Sequence, residues 1–158
     1  MVDPSSAAAP QQAAPHPASA GQIMLPIGRF GRRDRLLRNR DIRAVLRRGR
    51  RRHGQHLQVV AWWPRSSGSP GTAEPMPCDW PQLGMSVAKA VGSSPARARM
   101  RRLLREAFRA LRNHCRRPLA LMIVARTPWP DATLAWVTTE IFDLVAQLGA
   151  SSTRAAPP

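Results

Sequence analysis

Arginine crowds one stretch of the sequence, SSPARARMRRLLREAFRALR (residues 93–112), where Arg97, Arg99, Arg101, Arg102, Arg105, Arg109 and Arg112 stand with a single acid, Glu106. A guanidinium stays protonated at any ordinary pH, so these groups are poor proton carriers. They bind anions, offering a fork of N–H donors that fits phosphate and a plane that stacks on bases. The chemistry this stretch supports is the holding of a polyanion. Hydrolysis by the protein itself would need paired carboxylates around metal ions, or a histidine pair for acid–base transfer. The chain has nine acidic residues in all. Glu106 lies among arginines, where it is suited to orienting them, and Asp41 and Asp131 read as helix-start residues. His53 and His56, three apart in strand-like sequence, should point to opposite faces. Cys78 and Cys115 form no CxxC pair and no His/Cys ligand cluster, and read as two unpaired thiols. No catalytic residue and no metal ligand set is expected in the protein.

The elements that hold these arginines can be read from apolar spacing. Met100, Leu103, Leu104, Ala107, Phe108 and Leu111 recur at i, i+3, i+4, i+7, i+8 and i+11, one face of a helix for three turns. That face must be buried, so the helix belongs to the fold and is not a floating basic arm. Opposite it, Arg97, Arg101, Arg105 and Arg112 form a line, with Arg102 and Arg109 beside them. Gly92 supplies a turn, Ser93 or Ser94 can cap, and Pro95 suits the first helical position. The exposed N–H groups of that helix start add an anion site beside Arg97 and Arg99.

Upstream, RNRDIRAVLRRG reads as a short helix over 40–48, capped by Asn39, with Ile42, Val45 and Leu46 on its apolar face and Gly49 after its end. QHLQVVAWWP has strand composition, with Leu57, Val59, Ala61 and Trp63 on one face. Residues 64–81 are a Pro/Gly/Ser-rich loop without periodicity. In QLGMSVAKAVG, Leu83, Met85 and Val87 alternate with the small Gly84, Ser86 and Ala88, so the second face of that strand should approach something closely. PLALMIVAR (118–126) is a continuous apolar run, expected to be a central strand buried on both faces. PDATLAWVTTEIFDLVAQLG reads as a helix capped by Asp131 and ending at Gly149. The order α, β, β, α, β, α, with room for an extra short strand in the loop, gives an α+β fold: a two-layer α/β sandwich of one sheet and about three helices. Residues 1–22 and 150–158 carry almost no large apolar side chains and are expected to be disordered tails around one domain at 23–149.

A formal charge of +16 on 158 residues is extreme. Self-repulsion on that scale asks for a polyanionic partner, and the Arg-rich composition suits RNA. A mixed-sign solvated face would look different, since this one repels itself. Membrane-surface and calmodulin-binding helices are usually terminal or linker segments, whereas this one lies between two strands. No helix-turn-helix spacing points to DNA. No apolar run approaches the ~20 residues needed to cross a bilayer, and no secretory signal order opens the chain. A cytoplasmic protein is expected.

SVAKAVGSSPARARMRRLLREAFR resembles the signature of the bacterial ribonuclease P protein component. Ser86, Val87, Lys89, Val91 and Gly92 match the family's strand end. Arg97, Arg99, Arg101 and Arg102 match its basic box, and Arg105, Glu106, Phe108 and Arg109 its helix. RLLRNRDIRAVLRRGRR is similar to the family's N-terminal segment, and LMIVARTP to its strand after the basic helix. The resemblance implies a mixed sheet with a left-handed βαβ crossover. It also implies a protein subunit of the ribonucleoprotein endonuclease that removes the 5′ leader from precursor tRNA. In that family the RNA subunit with Mg²⁺ carries the chemistry. The protein binds the catalytic RNA and the leader, here as an expected monomer in a 1:1 complex with the RNA.

Carried over residue by residue, RNA binding would fall to Lys89, Arg97, Arg99, Arg101, Arg102, Arg105 and Arg109. The leader cleft would be formed by Ile42, Leu46, Val60 and Ser86. Two departures stand out. Ala98 replaces the central Asn of the basic box, and the cleft positions are aliphatic where the family has aromatics, forgoing base stacking worth ~1–3 kcal/mol per base. A ribosomal or other structural RNA-binding protein without a role in cleavage remains the alternative.

Overall fold

The computed structural model describes residues 28–63, 80–115 and 118–150. Both expected tails (apart from Ala150, which closes the last helix), most of the 64–81 loop and Cys78 lie outside these residues. The elements run α1 (Asn39–Arg48), β1 (Arg50–His53), β2 (Leu57–Trp62), β3 (Gln82–Val87), a 3₁₀ turn (Lys89–Val91), α2 (Ser94–His114), β4 (Ala120–Ala125) and α3 (Leu134–Ala150). The strands form one four-stranded sheet in the order β1-β2-β4-β3. Its β1–β2 and β2–β4 pairs are antiparallel and its β3–β4 pair is parallel. Among the described residues a mixed sheet with three helices is thus observed. The fourth strand is Arg50–His53, a run of three arginines and a histidine whose composition gave no strand signal.

PLALMIVAR does become a central strand. Leu121, Ile123 and Ala125 of β4 join the larger core with Leu57, Val59 and Ala61 of β2, under α2 and α3. Ala120 and Met122 face the other way and pack with Val60, Leu36 and Val45 under α1. Helices therefore cover both faces, α1 alone on one and α2 with α3 on the other. The close approach expected of β3's small face holds at Gly84, where a Cβ would stand 2.6 Å from Met122 Sδ and 3.4 Å from Leu36 Cδ2, and not at Ser86, which is exposed.

Leu36 arrives there because the segment before α1 lies along the outer edge of β3. Leu36 N–H donates to Leu83 O at 3.0 Å, and Leu83 N–H to Asp34 O at 2.8 Å. Asp34 secures the segment. Its carboxylate accepts from Gly31 N–H at 2.7 Å and from Trp80 Nε1–H at 3.0 Å, and it pairs with Arg112 at 2.7 Å. Burial pushes this carboxyl up. The Gly31, Arg112 and Trp80 hydrogen bonds and the Arg112 charge outweigh that and hold it below the ordinary carboxylate range.

Three expected caps are corrected. Asn39 is the first helical residue of α1, and Arg38 before it makes no side-chain cap. Gly49 has an extended backbone; glycine is needed because a Cβ would come within 2.5 Å of Val45 O and 2.7 Å of Val60 Cγ1. α3 starts at Leu134, and Thr133 Oγ1, rather than Asp131, accepts from Trp136 N–H at 3.3 Å. Asp131 sits in the preceding turn.

Candidate nucleic-acid interface

α2 is placed by its two ends and its buried face. Gly92 at φ +139° makes the turn out of the 3₁₀ segment, a backbone region that side-chain-bearing residues rarely adopt. Ser93 then caps, its Oγ accepting from Ala96 N–H at 3.5 Å, and Pro95 sits in the first turn. Met100, Leu104, Ala107, Phe108, Ala110 and Leu111 are buried, and Leu103 packs at the margin. At ~1.5–3 kcal/mol for each large apolar side chain, this face fixes the helix against the sheet. The direction of every arginine follows from it.

Those arginines divide by what lies opposite each one. Arg101 and Arg105 are half-buried beside an open groove of about 210 Å³, with Arg35, Phe30, Leu36, Leu37, Leu83, Gly84 and Met85 as its other lining. Arg35 is held over the Phe30 ring at 5.6 Å, and Phe30 meets Phe108 edge-on at 6.0 Å. Arg35 from the segment before α1 and Arg101 and Arg105 from α2 thus line one groove at the outer edge of β3. Lys89 and Arg102 are exposed nearby in sequence, and Arg97 is half-buried with its Nε lacking a hydrogen-bond partner.

The remaining arginines of the helix are engaged with protein. Arg99 donates to Pro130 O and Ala132 O, each at 3.0 Å, and so ties the start of α2 to the approach of α3. Arg109 donates to Gly28 O at 2.9 Å and pairs with Glu106 at 2.5 Å. Arg112, expected in the outward line, is 9 % exposed in its pair with Asp34. Sequence pattern treated all seven as one surface because the partners of Arg99, Arg109 and Arg112 include groups far away along the chain. Arg35 went unrecognised because no periodicity marks the segment that carries it.

On the opposite face, the expected cleft needs a shift in register. Val60 is 0 % exposed beneath α1, so it cannot line anything open. Paired residues share a sheet face, so the pairs His53–Gln58, Gln58–Val124 and Ser86–Val124 set one row across all four strands. This row is the next one along from Val60–Met122–Gly84, which α1 covers. Ile42 and Leu46 pack half-buried on that covered cluster, and Val124 joins them from the neighbouring row. Ser86 is exposed, and the side-chain oxygen of Gln58 is buried without a partner. Ile42 and Leu46 therefore flank the covered cluster, with half-buried Val124 and exposed Ser86 in the neighbouring row, where Gln58 is itself buried at 5 % exposure. The parity of QHLQVVAWW already put Gln58 with Val60; which of the two α1 would cover was a tertiary matter. Trp62 packs into the α1 cluster under Arg48, whose guanidinium lies 5.9 Å from the ring, and Trp63 packs into the other core.

The residues considered for acid–base or metal chemistry are scattered. His53 ends β1, while His56 lies in the turn to β2, stacked on Trp129 at 4.2 Å with planes 14° apart. They occupy different elements, where one strand had been expected to carry both. Glu140 spends its carboxylate on the N–H groups of His56 (2.8 Å) and Leu57 (3.1 Å). Burial pushes the Cys115 thiol up to about 11, which leaves it an unreactive packing residue. Among the described residues no three His, Cys, Asp or Glu side chains are grouped to hold a metal ion. No helix among them is long and apolar enough to cross a membrane.

Comparison with known proteins bears on the family and the fold. The family model described as Ribonuclease P matches residues 30–149. A ribonuclease P protein component from Clostridium novyi (strain NT) is 27 % identical over 116 residues, 73 % of this chain and 94 % of that protein. The solved RNase P protein of Staphylococcus aureus superposes with a TM-score of 0.57 at 20 % identity, over 72 % of this chain and 94 % of its own. That of Thermotoga maritima gives 0.56 at 18 % identity, over 73 % and 97 %. At such identities the two structures speak for the fold.

Proposed function

The chain belongs to the ribonuclease P protein family, and from that premise we propose how it serves the enzyme. It is the protein component of a ribonucleoprotein endonuclease that removes the 5′ leader from precursor tRNA. Lys89, Arg97, Arg101, Arg102 and Arg105, joined by Arg35, bind the phosphates of the catalytic RNA. The convergence of Arg35, Arg101 and Arg105 on one groove is the observation that carries this reading. Arg99 and Arg109, tied to backbone carbonyls, hold that surface in place while adding to its positive potential. Ile42, Leu46, Val124 and Ser86, the accessible residues beside the cluster under α1, take the leader of precursor tRNA. With polar and aliphatic groups there, contact is by hydrogen bonding and packing more than by stacking on aromatic rings. The protein acts in the cytoplasm as a monomer, one copy to each RNA.

Phosphodiester hydrolysis falls to the RNA subunit, where bound Mg²⁺ would supply the Lewis-acid chemistry. Three of this chain's described carboxylates are already engaged with the protein. Asp34 is committed to Arg112, Glu106 to Arg109 and Glu140 to two backbone amides. What the protein contributes is charge: neutralised phosphates let the folded RNA and its substrate approach with fewer ions in solution. Reconstitution tests this directly. Added to a ribonuclease P RNA, the chain should lower the Mg²⁺ concentration at which a precursor tRNA loses its leader. If RNA binding is demonstrated and the Mg²⁺ requirement stays where it was, the reading is wrong.

A further inference from the structure

We propose that the corner where α1 runs into β1 is a second phosphate-binding surface, gripping a segment of RNA different from the one held beside α2. The inference rests on the chain's place in the ribonuclease P family and extends it to a face of the molecule that the arginine helix does not reach. Between residues 43 and 52 the chain carries Arg43, Arg47, Arg48, Arg50, Arg51 and Arg52 and no acid. Helical periodicity puts Arg40, Arg43 and Arg47 on the side of α1 opposite Val45, which is 0 % exposed. All three arginines are exposed. Arg51 pairs across the sheet with Val60, so its side chain emerges on the α1 face, and its Nη2 donates to Leu46 O at 3.4 Å. Arg48 lies over Trp62 on the same side. Helix and strand thus place Arg47, Arg48 and Arg51 near the C-terminal end of α1, where the helix dipole favours cations, with Arg43 one turn back on the exposed helix face.

Among the described residues, no carboxylate pairs with Arg43, Arg47 or Arg51. Asp41 pairs with Arg40 at the other end of α1, at 3.4 Å. An edge strand rich in charge can serve simply to discourage pairing with another sheet. That role would need arginines in β1 alone, yet here exposed helical arginines are set against them. Position separates this corner from the groove by α2. β1 and β3 are the two edges of the sheet, so three strand spacings, ~14 Å, divide them. That exceeds the Debye length of ~10 Å at 0.1 M salt. The two surfaces act on separate phosphates, and the protein bridges two RNA segments.

The test pairs two variants of the full chain, each bound to full-length catalytic RNA and precursor tRNA: Arg43→Ala/Arg47→Ala/Arg51→Ala and Arg101→Ala/Arg105→Ala. The corner variant should flatten the dependence of log K on log salt by ~2–3, one phosphate contact per arginine at slopes of ~0.7–0.9 each. In hydroxyl-radical footprints it should lose protection of one RNA segment, while the α2 variant loses protection of another. Replacing the same three corner residues with lysine should restore most of the slope. A corner variant with the wild-type slope and footprint overturns the proposal, as does loss of the same segment in both variants. If the triple variant unfolds, Arg43→Gln/Arg47→Gln, on the exposed helix face, repeats the test. It should change the slope by ~1.5, and a wild-type slope and footprint would again overturn the proposal. An α2 variant without effect beside an active corner would count against the groove and leave the corner standing.

Discussion

At the C-terminal end of α2, Arg112 lies buried against Asp34; two to three turns earlier, Arg101 and Arg105 line an open groove. The residue type is the same, and so is the helix. What differs is the segment laid against each end. Residues 30–36 bring Asp34, with its ring of donors, to Arg112, and bring Arg35 to Arg101 and Arg105. An acid opposite a guanidinium makes a structural clasp. A second guanidinium opposite it makes a site that is favourable only when phosphate arrives. One short segment therefore closes the fold at one point and completes an anion site at the next.

The largest effect should come from breaking the clasp. Asp34→Ala leaves Arg112 buried without its counter-charge and frees the Trp80 and Gly31 donors. It should cost about 3–5 kcal/mol of stability, read by denaturant unfolding. A loss under 1 kcal/mol would mean that Arg112 finds other partners and that the two ends differ little. The same pair predicts a pH response with a definite sign. Asp34 titrates lower in the fold than in the unfolded chain, so the unfolded state takes up the proton first. Its stabilising contribution is complete above the unfolded value of ~3.9 and drains away as pH falls through the lower folded value. Asp34→Asn should remove that part of the acid slope; an acid limb identical to wild type would assign the slope to other carboxylates.

Much of this contrast is legible in the sequence. The apolar spacing of Met100 through Leu111 locates α2, its buried face and its basic side, and PLALMIVAR declares a central strand. Regular periodicity reports on burial, and burial is what fixes elements. Pairing of specific polar groups leaves no such trace. That Arg112 meets Asp34, 78 positions away by the numbering, or that Arg99 meets Pro130 O, depends on how elements stack. The strand at Arg50–His53 is invisible for a related reason: as an exposed edge it needs no apolar residue, only the hydrogen bonds of β2. Val60 and Gln58 share a face by parity, and only the path of α1 decides which is covered.

The open end of the helix can be tested by the slope of RNA binding against salt. Arg101→Ala and Arg105→Ala should each flatten it by about one phosphate contact, a slope change of ~0.7–0.9, with stability within ~0.5 kcal/mol of wild type. Arg97→Ala should behave like them, since its Nε has no protein partner to lose. Arg112→Ala should show the reverse pattern, a marked loss of stability and little change in slope. Equal slopes for Arg101→Ala and Arg112→Ala would erase the distinction between the two ends.

The smallest effect separates positioning from contact. Arg99 sits inside the basic box yet donates to Pro130 O and Ala132 O, so its charge and its hydrogen bonds contribute in different ways. Arg99→Lys keeps the charge but cannot span both carbonyls with one ammonium as a planar fork does. It should lower stability by ~0.5–1.5 kcal/mol, the net worth of one ordinary hydrogen bond, and leave the salt slope unchanged. Arg99→Ala, which gives up both hydrogen bonds, should lose roughly twice as much stability and lower the slope only slightly, by the weaker field it leaves over neighbouring phosphates. If Arg99→Ala instead removes a full contact from the slope while Arg99→Lys restores it, Arg99 binds phosphate directly. The boundary between clasp and site would then fall between Arg105 and Arg109 alone.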